Sequence, residues 1–132
     1  QHAGFSKTKP WFVLNPNHKT INVLNDMGDN NSILNYTKEV IAYHQSHDSL
    51  RIGSFTPTMT EHKQILAFIR ENENEKLLIM INLDNKPAIF KADDYQQMRT
   101  QLCNYPTYGP MDKKMVFRPY EARIIALVGQ KP

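Results

Sequence analysis

The sequence of 132 residues contains a single cysteine, Cys103, and a single tryptophan, Trp11. One cysteine excludes an internal disulfide framework and any zinc site built from several cysteines. No uninterrupted apolar run approaches the roughly 20 residues that a membrane-spanning helix needs. The pattern of a secretory signal, a basic region followed by an apolar stretch and a small-residue cleavage site, is also missing. We therefore expect a cytoplasmic protein without a membrane partner, of a length that suits one domain or a small domain with an appendage.

Concentrated charge is lacking as well. The formal net charge is +3, from 16 Lys and Arg residues against 13 Asp and Glu residues, but the basic residues are scattered along the chain. A nucleic-acid surface normally shows a basic stripe or cluster with aromatic residues interleaved. We therefore expect no nucleic-acid partner.

Two apolar runs rich in branched side chains flank a polar insert in residues 64–83, which predicts a β-hairpin. The insert, residues 71–75, lacks the Asn-Gly or Asp-Gly pair of a two-residue turn, so we predict a longer loop and a register fixed by the buried faces. The other predicted elements are strands at 50–56, 87–91, 98–103, 114–117 and 122–128, a tight turn at 84–87, and loops at 92–97 and 105–112. Seven such strands predict a mainly β fold, an antiparallel sandwich or barrel.

One helix is predicted over residues 32–47, because neither glycine nor proline interrupts it and Asn31 or Ser32 can cap its first free amides. We expect its apolar face to be buried, either on the strands or on a neighbour outside this chain. That face consists of Ile33, Tyr36, Val40, Ile41 and His44. Residues 1–31 have no sustained period and many Asn, Asp and Pro residues, so we predict a long loop that is functional or packs on a partner.

Two features of the sequence contain residue types that can bind a metal ion. His44 and His47 lie three apart on the predicted helix, but a zinc site needs further ligands and no HExxH pattern is present. The structural alternative is that one histidine is a half-buried imidazole and the other lies at the helix C-terminus, where a cation is favoured. Residues 25–31 are rich in oxygen ligands, yet their spacing differs from that of a calcium loop and favours helix capping. We therefore assign no metal and no other cofactor to this chain.

Glycoside hydrolysis needs two carboxylates held on a rigid scaffold. Most acidic residues of this sequence lie in predicted turns or on the polar side of the helix, where a solvated position is the default. Glu121 differs because it follows Arg118 by three residues, in RPYEAR, at the entrance of a predicted strand. We predict that these two side chains form an ion pair that fixes the corner, rather than a catalytic group.

Several aromatic residues fall in predicted loops, where they could stack on the faces of sugar rings. The alternative, which we favour, is that these side chains anchor the loops on apolar neighbours. The residues concerned are Phe5, Trp11, Phe12, Tyr105 and Tyr108.

Longer segments carry a family resemblance. Residues 2–23 read HAGFSKTKPWFVLNPNHKTINV, residues 31–47 read NSILNYTKEVIAYHQSH, and residues 117–124 read FRPYEARI, with FIRENENEKLLIMINL and CNYP between them. In order and spacing these segments resemble the C-terminal part of the exo-acting α-glucosidases of the alpha-amylase superfamily, glycoside hydrolase family 13. That group includes oligo-1,6-glucosidase, maltase, dextran glucosidase, trehalose-6-phosphate hydrolase and sucrose isomerase.

The resemblance implies two parts. Residues 1–48 would be a rim loop and the last helix of a (β/α)8 barrel, and residues 49–132 an antiparallel Greek-key β-sandwich domain at the C-terminus. The nucleophilic Asp, the acid/base Glu, the third Asp and the His of such enzymes lie on barrel strands upstream of this segment. The resemblance therefore implies no catalytic and no substrate-binding residue here.

The function implied is that of a C-terminal fragment of a retaining α-glucosidase, inactive alone. Its partner would be the N-terminal catalytic barrel of the same parent protein, which binds the oligosaccharide substrate and releases terminal α-linked glucose. The alternatives are a stand-alone glucan-binding β-sandwich module, with Trp11 and the tyrosines as its platform, and a noncatalytic relative of the family.

Overall fold

The computed structural model describes residues 2–59, 61–91, 97–108 and 114–128. The chain divides into two compact units, residues 1–39 and residues 40–132. The expected boundary between residues 48 and 49 stays a prediction.

The first unit contains short helices where we predicted a loop. They are two 3-10 helices, His2–Gly4 and Pro16–Lys19, and the helix α1, Val23–Gly28. The prediction for residues 1–31 was wrong at α1 because its asparagines cap helices rather than form turns. The Asn22 side chain accepts a hydrogen bond from the Asn25 amide at 2.9 Å, and the Asn15 side chain accepts one from the Asn17 amide at 3.2 Å.

The predicted long helix is confirmed as α2, Ile33–Ser46. Of the two candidate caps, Ser32 performs the role, because its Oγ accepts a hydrogen bond from the Asn35 amide at 3.2 Å. The helix has no buried residue. On its predicted apolar face, 83 % of Ile33 and 51 % of Ile41 are exposed, whereas Tyr36 and Val40 are partly buried.

A short helix, α3 (Asp48–Ile52), precedes the strand β1 (Ser54–Thr58). The predicted strand at 50–56 was therefore wrong in its first half. The amides of Leu50 and Arg51 both donate to the His47 carbonyl, which closes a helical turn that the branched side chains of this stretch did not signal. Gly53 ends the helix, and its amide donates to the carbonyls of Asp48 and Ser49.

The predicted hairpin is confirmed. Its strands are β2, Ile65–Glu71, and β3, Lys76–Asn82, joined by the four-residue loop 72–75. Within the loop the Asn72 side chain accepts hydrogen bonds from the amides of Asn74 and Glu75, both at 2.9 Å. The hairpin lies inside a five-stranded antiparallel sheet of order β1-β2-β3-β7-β5, in which β5 is Met98–Cys103 and β7 is Ala122–Leu127.

A second, two-stranded antiparallel sheet consists of β4, Ala88–Lys91, and β6, Lys114–Phe117. The turn at 84–87 carries the chain from one sheet to the other, and the Asn82 amide group donates to the Lys86 carbonyl across it at 2.8 Å. Both sheets contribute to one core, which consists of Ile65, Ala67, Leu78, Met80, Ala88, Phe90, Met115, Phe117 and Ile125. The mainly β, antiparallel expectation is confirmed. The Greek-key connectivity stays a prediction, and the predicted loops at 92–97 and 105–112 fall mostly outside the described residues.

Candidate functional site

The corner before β7 holds the charged cluster that the sequence partly predicted. Glu121 is fully buried, and its Oε2 accepts hydrogen bonds from the Arg118 backbone amide at 2.8 Å and from Arg118 Nε at 3.0 Å. The predicted ion pair is confirmed. A second guanidinium, that of Arg123, donates from Nε to Glu121 Oε1 at 2.8 Å, and this partner was not foreseen.

The electrostatics of this corner disfavour Glu121 as a proton donor near neutral pH. Burial alone would raise the pKa of Glu121, but hydrogen bonds from Arg118 and Arg123 outweigh it and lower the pKa to about 2. Burial raises the pKa of the Cys103 thiol, whose Sγ lies 3.4 Å from Glu121 Oε1. A carboxylate that stays ionised between two cations cannot deliver a proton near neutral pH. These contacts are those of an ion-pair cluster that connects the corner to β7.

The two predicted histidines are not brought together on one ion. His47 stacks on the Tyr43 ring at 3.8 Å, and its Nδ1 lies 2.8 Å from the Tyr43 carbonyl. Its Nε2 is 3.9 Å from Glu75 Oε2, while His44 is exposed. In the part of the chain that the structure describes, no three His, Cys, Asp or Glu side chains group as metal ligands.

Residues 25–31 form the connection between α1 and α2, but the side chain that caps α2 is that of Ser32, just after them. The Asp29 side chain accepts a hydrogen bond from the Asn31 amide at 2.9 Å, and Ser32 Oγ donates to the Asp26 carbonyl at 2.7 Å. The Asn35 side chain donates to the carbonyls of Asp26 and Asp29 at 2.9 and 2.8 Å. The Asp29 side chain and the carbonyls of Asp26 and Asp29 thus take part in the connection from α1 to α2.

The predicted aromatic residues differ in their surroundings. Phe12 makes edge contacts with Phe5 and Trp11, with ring centroids 5.0 and 5.2 Å apart, yet 94 % of Trp11 is exposed. Tyr105 is anchored as the favoured alternative predicts, because its hydroxyl donates to the Pro119 carbonyl at 2.8 Å and its ring lies 3.8 Å from the Arg118 guanidinium. Tyr108 is about half exposed.

A cleft of about 870 Å3 lies at the end of α2, and no sequence pattern predicted it. Its walls are Tyr43, His47, residues 71–77, Gln101 and residues 126–128. Burial, with the charge of Glu75 adding to it, raises the pKa of Tyr43. Two of its acidic side chains are paired: Glu71 with Lys76 at 3.3 Å, and Glu75 with Ser49, whose Oγ donates to it at 2.8 Å. The contact of Glu75 with Ser49 spans 26 residues of sequence, so no local pattern could predict it.

None of the described helices has the length and apolar character needed to cross a membrane.

Comparison with known proteins gives one match to the first part of the chain and several to almost all of it. A family model described as the alpha-amylase catalytic domain matches residues 1–53. Curated relatives match almost the whole chain. The probable oligo-1,6-glucosidase 2 of Bacillus subtilis is 36 % identical over 96 % of this chain, and the oligo-1,6-glucosidase of Bacillus cereus is 30 % identical over 96 %. Each match covers 23 % of the relative, so the chain spans about a quarter of their length.

Solved structures share the fold. A trehalose-6-phosphate hydrolase of Bacillus licheniformis superposes with a TM-score of 0.84 over 97 % of this chain and 24 % of its own, at 23 % identity. The trehalulose synthase of Pseudomonas mesoacidophila superposes with a TM-score of 0.82 over 95 % of this chain and 23 % of its own, at 24 % identity. The family model and the curated relatives support the resemblance to glycoside hydrolase family 13, the alpha-amylase superfamily, and the solved structures share the fold.

Proposed function

We propose that this chain is the C-terminal fragment of a retaining α-glucosidase that hydrolyses terminal α-linked glucose from oligosaccharides or α-glucosides in the cytoplasm. The relatives named oligo-1,6-glucosidase, which match almost the whole chain, support this activity for the parent protein. The fragment itself contributes no catalytic carboxylate. Its role is to stabilise the catalytic barrel, and the barrel binds the oligosaccharide.

The main observation behind this proposal is that the described residues of the first unit bury almost no side chains. Among residues 2–39, Ser32 alone is buried, although Trp11, Val13 and Ile33 are 94, 93 and 83 % exposed. Covering a branched or aromatic side chain contributes about 1.5–3 kcal/mol, so such a surface favours a partner. The same residues lie in the part that matches a catalytic domain, and the rest of that domain is the partner we propose.

The sheet of the second unit supports the same arrangement. Ile65 and Ala67 point into its core, while Leu66 on the opposite face is about half exposed. On the neighbouring strand Phe55 is also exposed and lies 5.1 Å from the ring of Phe68. A sheet that is apolar on both faces suits a position between two layers. We propose that this outer face covers one side of the barrel, with the division at residues 48 and 49.

The proposal is tested by restoring the missing part. The upstream segment of the Bacillus subtilis relative is fused to this chain, and turnover of nitrophenyl α-glucoside is measured for the fusion and for each part alone. The fusion is expected to be active, and both parts inactive. Turnover by the isolated chain that survives repurification would reject the proposal.

A matched pair of variants in the fusion tests the surface itself. Ile33→Asp places a charge where we propose burial, which costs about 2 kcal/mol or more, and is expected to reduce the yield of active enzyme severalfold. Ile89→Asp changes an isoleucine that is about half exposed in the two-stranded sheet and is expected to leave the yield unchanged. Equal yields for the two variants would contradict the proposed docking surface.

The exposure of Trp11 favours one second candidate, a glucan-binding module. An uncovered indole face can stack on a sugar ring, and Trp11 is the only tryptophan of the chain, so its fluorescence reports binding without interference. Titration of the isolated chain with maltooligosaccharides distinguishes the candidates. A saturable shift in emission would favour the module, and no shift at millimolar sugar would count against it.

A further inference from the structure

Hydrogen bonds from side chains of α3 and of the hairpin connect these two elements. Ser49 is fully buried, and its Oγ donates to Glu75 Oε1 at 2.8 Å. From the other side, Arg70 donates from Nε to the Ser49 carbonyl at 3.1 Å and from Nη2 to the Leu50 carbonyl at 2.9 Å. The last carbonyls of a helix have no partner within it and favour a cation nearby. Arg70, on β2, supplies both a hydrogen-bond donor and a positive charge to these carbonyls.

The acceptor on the hairpin is held in place as well. The Glu75 amide donates to the Asn72 side chain at 2.9 Å, which fixes the loop that presents the carboxylate. The other oxygen of Glu75 faces His47 Nε2 at 3.9 Å. His47, before α3, and Ser49, within it, therefore both contact Glu75 of this loop.

Gly53, between α3 and β1, would be the natural hinge, but it is enclosed. Its amide bonds the carbonyls of Asp48 and Ser49. A Cβ at this position would lie 2.4 Å from the Ser49 carbonyl oxygen and 2.6 Å from that of Glu71. Hinge residues absorb large changes of φ and ψ, and a glycine bonded and packed on both sides has no room for them.

We propose that Ser49, Arg70 and Glu75 form a clamp that makes the junction between α3 and β1 a rigid joint rather than a hinge. Residues 47–53 end the part of the chain that matches a catalytic domain, so the clamp positions the end of that part on the β-sheet. In this respect the inference deepens the proposed function and rests on it. The contacts themselves belong to this chain and are tested without any activity.

Amide hydrogen exchange of the full chain, followed by NMR, tests the clamp. The probes are the amides of Leu50, Arg51 and Gly53, all bonded within the α3 turn. Glu75→Ala removes the acceptor of Ser49, and Glu73→Ala removes an exposed glutamate of the same loop as the matched control. Glu75→Ala is expected to speed exchange at the three probes about tenfold or more, because a charged hydrogen bond is lost. Glu73→Ala is expected to leave them unchanged.

Two further variants separate positioning from general stability. Glu75→Gln keeps an acceptor oxygen and is expected to restore most of the protection, whereas Ser49→Ala is expected to behave like Glu75→Ala. Wild-type exchange rates in Glu75→Ala would overturn the clamp. So would an equal acceleration at the core amides of Leu78 and Met80, since Glu75 would then act on the whole fold. An inactive fusion enzyme with these exchange results intact would refute the proposed function and leave the clamp standing.

Discussion

Replacing Glu121 by glutamine is expected to destabilise the chain strongly at neutral pH. The glutamine can still accept a hydrogen bond from the Arg118 amide, but the charge that balances two guanidinium groups is lost. The Arg123 side chain is only 1 % exposed and lies over the Phe117 ring at 4.5 Å, so it cannot turn to water. Removing one partner of a buried pair costs about 3–5 kcal/mol, because the other charge stays buried.

The magnitude also follows from the proton equilibrium. The pKa of Glu121 falls from its ordinary 4.5 to about 2, a difference of 2.5 units, and each unit is about 1.4 kcal/mol. The folded state therefore gains about 3 kcal/mol from ionised Glu121. Since the folded pKa is the lower one, this stabilisation is fully present above about pH 5 and is lost as the pH falls toward 2.

Urea unfolding of the wild type and of Glu121→Gln between pH 7 and pH 2 is the assay. The free energy of unfolding is expected to differ by about 3 kcal/mol at pH 7, and the gap is expected to narrow steadily below pH 5. Glu73→Gln, which changes an exposed carboxylate, controls for the loss of a negative charge. A variant as stable as the wild type at pH 7, or a gap that does not depend on pH, would refute the reasoning.

Three further outcomes are expected. Met80→Ala, at a fully buried core position, is expected to lower the free energy of unfolding by about 2–5 kcal/mol. Trp11→Ala in the isolated chain is expected to change it by about 0.5 kcal/mol or less. Equal effects of the two variants in urea titrations would contradict the assignment of the core. Asn82→Ala leaves the carbonyls of Lys86 and Arg118 without their donor and is expected to cost about 1–3 kcal/mol, measured by thermal unfolding. Because burial raises the pKa of the Cys103 thiol, its reaction with a thiol reagent is expected to need a higher pH than that of a free cysteine; a reaction that matches free cysteine at every pH would argue against burial.

The hairpin could be predicted from the sequence because its signal is local. Ile65 and its neighbours alternate in and out of the core with a period of two, and the pairing of Glu71 with Lys76 follows from the loop between them. The ion pair of Arg118 with Glu121 could be predicted for the same reason, because the two residues are three positions apart in the sequence.

Other features depend on contacts that are distant in sequence. The contact of Arg123 with Glu121 spans only two residues, but both side chains are buried by strands that are distant in sequence, such as β5, whose Cys103 pairs with Arg123. The helix α3 was missed because Leu50 and Ile52 suit a strand, while tertiary hydrogen bonds from Arg70 favour the helical turn. Family resemblance supplied the function that neither composition nor periodicity contained.

The central claim is that the apolar surface of the first unit is covered by an upstream catalytic segment. Trp11 is the only tryptophan of the chain, so a chain grown with 5-fluorotryptophan carries one fluorine. After ligation to the unlabelled upstream segment of the Bacillus subtilis relative, the fluorine resonance is compared in H2O and D2O. We predict a new resonance that has lost the solvent isotope shift of the isolated chain. An unchanged resonance with the full isotope shift, in an enzyme that ligation has made active, would contradict the claim.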